Sequence, residues 1–262
     1  MSAERFMIGL RYAYIGDVLE TGSMPNISEM VSIGNIVPDS VDVTPEEDTY
    51  TDLKDQRTNG VDISILSEKG AEIIKFATRD FDAENLKAGF GGGLAGSIWQ
   101  APTSAFKGRE KSIKLITKAE KGLHFVLDYP RTKFRALLTG ALVETESAAI
   151  NFQGTLLMPN NQSTGVDTSP KQMYQKPAAP PELVVDDTLK SALFDTVENF
   201  EDVTKYEYSV DGGVSFSAVT TNPITSLPAT PAGDLQVRVK ANDVENGYVE
   251  GFVVVSTEEI TA

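Results

Sequence analysis

Short runs in which apolar and polar residues alternate constrain this chain more than any other feature, because a period of two lines one face of a strand and fits no helix. Val61, Ile63 and Ile65 alternate with Asp62, Ser64 and Leu66. Leu123, Phe125, Leu127 and Tyr129 alternate with His124, Val126 and Asp128, while Ile150, Phe152, Leu156 and Met158 share a parity. Further on, Tyr206, Tyr208 and Val210 alternate with Glu207 and Ser209, and Leu235, Val237 and Val239 alternate with Gln236, Arg238 and Lys240. Asp211-Gly212-Gly213, leading into Val214 and Phe216, predicts a hairpin turn with positive φ, and residues 252–255 supply a closing strand. A single short helix is expected, capped by Asp80 or Asp82, running through Leu86 and Ala88, and ended by Gly89 and Gly91. The fold class predicted is mainly β.

One seam divides the chain. Residues 159–181 are polar and proline-rich, with Pro-Asn-Asn-Gln-Ser-Thr-Gly giving way to Ser-Pro-Lys-Gln and Lys-Pro-Ala-Ala-Pro-Pro, and they carry no apolar period. The expected organisation is a domain over 1–160, a linker over 161–180 and a second domain over 181–262, of a size common for a small β-sandwich. Within the first domain, residues 45–57 read as a long acidic loop, unpatterned apart from Tyr50 and Leu53. A loop of that length usually contacts a partner.

Charge narrows the function. The net charge is −15, with 17 basic and 22 acidic side chains in residues 1–162 and 6 and 16 in residues 163–262. Gripping a phosphate backbone needs clustered Lys and Arg that displace counterions, so the balance argues against nucleic-acid binding. The simpler reading is a well-solvated acidic surface. With no cysteine, thiol catalysis, Cys-ligated zinc and a disulfide framework are excluded. No signal peptide and no apolar run near the length of a membrane span are recognisable, so the chain is expected to be made in a cytoplasm and to have no membrane partner.

Catalytic patterns are weak. Gly91-Gly92-Gly93-Leu94-Ala95-Gly96 fits G-x-G-x-x-G, but it follows the expected helix and opens no βαβ unit, so a helix-ending turn is the better reading. Asp80, Asp82 and Glu84 suggest calcium, yet an EF-hand loop from Asp80 would need Gly and Glu where Asn85 and Gly91 stand. The lone histidine, His124, lies in a strand pattern and reads as a satisfied strand residue. Asn26-Ile27-Ser28 and Asn161-Gln162-Ser163 match the glycosylation pattern at chance frequency. No catalytic residue, metal site or cofactor is expected, and the chain is read as a non-enzyme.

Two resemblances sharpen the reading. Tyr206-Glu-Tyr-Ser-Val-Asp-Gly-Gly, with Gly233-Asp-Leu-Gln-Val-Arg-Val-Lys-Ala, resembles bacterial and phage immunoglobulin-like or fibronectin-III-like modules. Val41-Asp-Val-Thr-Pro, the acidic loop to Asn59-Gly60-Val-Asp-Ile-Ser-Ile, Phe81-Asp-Ala-Glu-Asn-Leu-Lys-Ala-Gly-Phe-Gly-Gly-Gly and the paired strands across residues 111–157 resemble, in that order, the major tail tube protein of long-tailed bacteriophages. The likeness spans residues 5–160, with the stretch up to Val37 unmatched. It implies a tail-tube-type β-sandwich or barrel with a flanking helix, followed by an immunoglobulin-like sandwich, an appendage also met in that family. It further implies hexameric rings stacked into a hollow tube in the virion tail, with this chain and other phage tail proteins as partners. The genome would pass through the lumen without specific binding. On that reading Pro45, Glu46, Glu47, Asp48, Tyr50, Asp52, Lys54, Asp55 and Arg57 are the expected inter-subunit contact. The competing class is a bacterial cell-surface binding module or adhesin.

Overall fold

The computed structural model describes residues 9–45, 49–54, 61–68, 71–103, 109–140, 148–241 and 248–261. The chain is mainly β. Its described residues fall into two compact units, one of 9–116 with 127–172, the other of 117–126 with 173–261.

Strands of the first part, in chain order, are β1 (Leu10–Asp17), β2 (Val31–Ile33), β3 (Asp42–Pro45), β4 (Thr49–Lys54), β5 (Val61–Glu68) and β6 (Glu72–Thr78). Helix α1 (Ala83–Phe90) follows, then β7 (Gly93–Ala95), β8 (Ile98–Gln100), β9 (Arg109–Thr117), β10 (Leu123–Thr139), β11 (Ala149–Leu156), β12 (Asn160–Asn161) and β13 (Val166–Asp167). The main sheet runs β2-β1-β9-β10-β11-β6-β3. Beyond β2, Ile36 bridges to Thr78 and the Val37 amide donates to the Ala77 carbonyl, so the chain passes from one end of the sheet to the other before forming β3. Ile33 from one end and Phe76 from the other therefore join one core with Ile113, Tyr129, Phe134 and Phe152.

Alternation fixes which residues enter that core. Phe152 lies opposite Phe76 on one side and Ala136 on the other, and the Phe76–Phe152 and Phe134–Phe152 ring centroids are 5.1 and 5.7 Å apart. Each such buried ring contributes about 1.5–3 kcal/mol by leaving water. In β10 the core residues change parity, from Leu127 and Tyr129 to Phe134 and Ala136. The switch spans Pro130, which has no N–H for the ladder, and such a residue marks an irregular strand.

Asp82 is the N-cap of α1, its carboxylate accepting from the Ala83 amide at 3.0 Å. Gly91, at φ 72°, ends the helix. Gly89 does not. It is buried within the last turn, where a Cβ would stand 2.9 Å from Phe152 and 3.0 Å from Ala136, so its lack of a side chain lets the helix sit on the sheet.

The segment expected to be a linker is structured. Residues 160–161 and 166–167 form the β12–β13 pair, and β14 (Gln172–Pro177) pairs with β10. Its polar residues are spent on fixed partners: the Gln162 amide donates to the Glu20 carbonyl at 2.8 Å, the Thr168 hydroxyl to the Gly22 carbonyl at 2.9 Å, and the Lys171 ammonium to Glu72 at 2.8 Å. The same Glu72 carboxylate accepts from the Tyr129 hydroxyl at 3.0 Å. Burial, and then the Glu72 charge, push the Tyr129 phenol well above its ordinary range, so it stays protonated as a donor.

The second unit begins with β14 and continues through β15 (Leu183–Asp186), β16 (Ser191–Phe194), β17 (Tyr206–Ser209), β18 (Ser217–Ala218), β19 (Gln236–Val239) and β20 (Val254–Val255). β15 pairs with β16, and a second sheet runs β18-β17-β19-β20. Both sheets feed one core, with Ala192 and Phe194 from the first and Tyr206, Val237 and Val239 from the second. Residues 117–126 belong here because the Gly122 carbonyl accepts from the Ala178 amide at 2.8 Å, the Lys121 carbonyl from Asn199 at 3.2 Å, and Leu123 packs against the core.

The expected hairpin after Tyr206 forms, but its return strand starts at Ser217, leaving Val214 in the turn and 87% exposed. Asp211 builds the wider turn. Its carboxylate accepts from the hydroxyls of Ser209 and Ser215 and from the Ser215 amide, and these bonds hold it well below the usual carboxylate range. A depressed folded value means that the stabilisation is complete above the unfolded pKa of about 3.9 and is lost as pH falls through the folded one. In an NMR titration the Asp211 carboxyl is expected to show no inflection down to about pH 3, whereas a midpoint near 3.9 would mean that the turn bonds are not formed.

Candidate functional site

The region expected to make contacts is an excursion from the main sheet. β3 ends at Pro45, and the chain re-enters the sheet at Glu72 of β6; Pro45 and Glu72 are cross-strand partners. Everything between leaves from and returns to adjacent points. Within it, β4 and β5 pair antiparallel with each other as a separate two-stranded sheet, with Tyr50 opposite Leu66, Asp52 opposite Ser64 and Lys54 opposite Val61.

This corrects the expectation of a loop over 45–57. Tyr50, Asp52 and Lys54 lie on strand β4, and Pro45 is the last residue of β3. Glu46, Glu47, Asp48, Asp55 and Arg57 lie outside the described residues. The ladder shifts register between Thr49 and Tyr50 and again between Leu53 and Lys54. Tyr50 and Leu53 stand three positions apart, so no period of two marks the segment as a strand. The partner strand β5 did carry that signal, and a strand beginning at Val61 needs a neighbour; that was the available clue.

The excursion and the edges of the main sheet belong to one problem. Strands β2 and β3 end the sheet, and edge strands present unpaired N–H and C=O groups that another chain can join. A two-stranded hairpin is marginal in water when nothing covers it.

Side chains of types that could carry chemistry have local partners. Among the described residues no group of three His, Asp or Glu side chains could hold a metal ion. His124 is buried, its Nδ1–H donating to the Thr117 carbonyl at 2.7 Å and its ring edge-on to Phe252. Gly91 lies under the Arg109 guanidinium, where a Cβ would fall 1.8 Å from it, and its carbonyl accepts from the Trp99 indole at 2.6 Å. That turn thus joins α1 to the β7–β8 pair and is filled by side chains of its own unit. Lys114 and Asp128 make a buried ion pair at 2.5 Å across β9 and β10. Among the described residues no helix is long and apolar enough to cross a membrane.

No protein-family model matches the chain, and no curated protein matches it.

Proposed function

We propose that this chain is a structural subunit that assembles with copies of itself into the hollow tail tube of a long-tailed bacteriophage, as stacked hexameric rings. Residues 173–261 would form an immunoglobulin-like module appended to the tube domain. The observation that carries this reading is the β4–β5 excursion: two strands paired with each other outside the main sheet's ladder, leaving and returning at the cross-strand partners Pro45 and Glu72. Such an element adds nothing to its own unit's ladder and gains most when a neighbouring subunit covers it. The order of elements supports the same reading. An edge strand, an excursion, a return strand, a capped helix and a glycine turn follow one another as in the resemblance drawn from the sequence.

The work of such a subunit is done by shape and pairing, with no catalytic residue and no cofactor. The tube domain holds 22 acidic against 17 basic side chains in residues 1–162, an excess that disfavours a grip on duplex DNA, so a genome would pass through the lumen without specific binding. Negative-stain micrographs of the concentrated full-length protein are expected to show rings of uniform diameter and hollow tubes built from them. Uniform monomers at every concentration, or solid irregular fibres, would overturn the proposal and favour a cell-surface binding module.

A further inference from the structure

Two exposed faces of this chain carry opposite charges beside exposed aliphatic side chains. The first belongs to the second unit. Val184 and Leu193 are cross-strand partners on β15 and β16, 47% and 51% exposed, although both are large aliphatic side chains. The ladder continues past them, for the Asp195 amide donates to the Glu182 carbonyl at 3.1 Å. The exposed Glu182 and Asp195 therefore stand opposite each other one step from Val184 on the same face, and Asp186 lies on the other side. Among the described residues none of these three carboxylates has an ion-pair partner. Like charges directly opposite on a sheet destabilise it. An aliphatic pair rimmed by such charges is a surface that lacks its cations.

The second face lies on the main sheet, on the side of β10 away from the core. Lys133, Arg135 and Leu137 alternate with the core-facing Phe134 and Ala136, and Leu137 is 52% exposed. Arg135 donates to Gln153 Oε1 at 2.6 Å, a neutral acceptor, and among the described residues neither Arg135 nor Lys133 pairs with a carboxylate. This face offers two cations beside an aliphatic group, the charge opposite to that around Val184 and Leu193.

We propose that the acid-rimmed aliphatic face of β15–β16 on one copy docks onto the Lys133–Arg135–Leu137 face of β10 on a second copy. The two faces differ, so each copy keeps one of each free and the contact propagates from copy to copy or closes into a ring. The patch is small, so the contact is weak between two free copies and strengthens where an assembly holds many copies side by side. This contact goes beyond the hairpin pairing proposed above and does not require it, since it joins the second unit of one copy to the sheet of another.

The test uses the full chain, as an equal mixture of unlabelled and 15N-labelled protein treated with a zero-length carbodiimide that joins a carboxylate to an amine in contact. At about 0.01 M ionic strength, where the Debye length is about 30 Å, mixed-isotope peptides linking Lys133 to Glu182, Asp186 or Asp195 are expected. In about 1 M salt, where it is about 3 Å, their yield is expected to fall roughly tenfold. The variant Glu182→Lys with Asp195→Lys is expected to lose the Lys133 links, as is Lys133→Glu with Arg135→Glu. A chain carrying all four reversals is expected to regain links between positions 133 and 182 or 195. Absence of mixed-isotope links in the native chain, links within single copies only, or failure of the fourfold reversal to restore them in a protein with native circular dichroism would overturn the inference. Tube formation is scored separately by microscopy, so loss of the links with tubes intact counts against this contact alone.

Discussion

Replacing Asp128 by Ala is expected to destabilise the first unit by about 3–5 kcal/mol, because it removes the carboxylate that meets the buried Lys114 ammonium. The two side chains are 11% and 6% exposed and meet at 2.5 Å between adjacent strands of the main sheet. A loss of that size compares with a total of about 5–15 kcal/mol for a domain, so the variant is expected to populate unfolded chain at moderate urea where the parent does not. Lys114→Met is expected to cost a similar amount, through the carboxylate left behind. Removing both charges, with Lys114→Met and Asp128→Leu, is expected to recover most of the loss, since neither ion then has to be desolvated. Urea unfolding of the four proteins gives the coupling energy directly. A single substitution costing less than about 1 kcal/mol would show that the pair is hydrated as a surface bridge is, and that the sheet is not sealed there.

That pair also shows where sequence reading stops. Lys114 and Asp128 lie within strands whose alternation is plain, yet nothing local says that one cation on β9 will meet one carboxylate on β10. Strands that carry an alternating run in the sequence were legible: β5, the first half of β10, β11 and β19 all fall on the runs that predicted them. The capped helix was legible because a cap is a local hydrogen bond, and Asp82 makes it. Local signals failed where distant partners decide the structure. Residues 161–180 read as a linker because they are polar and proline-rich, but Thr168 and Lys171 are fastened to Gly22 and Glu72, far away in sequence. Residues 117–126 were expected within the domain over 1–160, and they join the second unit through Gly122 and Leu123. In the candidate site, length and acidity marked residues 45–57, while the strand within them was hidden by two register shifts.

Removing the whole excursion, residues 46–71, and joining Pro45 to Glu72 through an Asn-Gly turn is expected to yield a folded subunit that no longer polymerises. The geometry favours that deletion over any shorter one. Pro45 and Glu72 are cross-strand partners, so a two-residue turn can close β3 onto β6 without moving either strand. Cutting only β4 would leave β5 with an unpaired edge, and any loss of assembly could then be laid to misfolding. The deletion removes none of the strands that carry Ile74, Phe76 and Phe152, and it retains the Glu72 carboxylate with its partners Tyr129 and Lys171. The midpoint of urea unfolding is therefore expected to stay close to that of the parent. On the proposed assembly a neighbouring subunit covers the hairpin, and in the deleted chain that contact is lost. Sedimentation and micrographs are expected to show monomers at concentrations where the parent forms rings or tubes. Tubes of normal length from the deleted protein would remove the hairpin from the assembly mechanism and leave the sheet edges β2 and β3 as the joining surfaces.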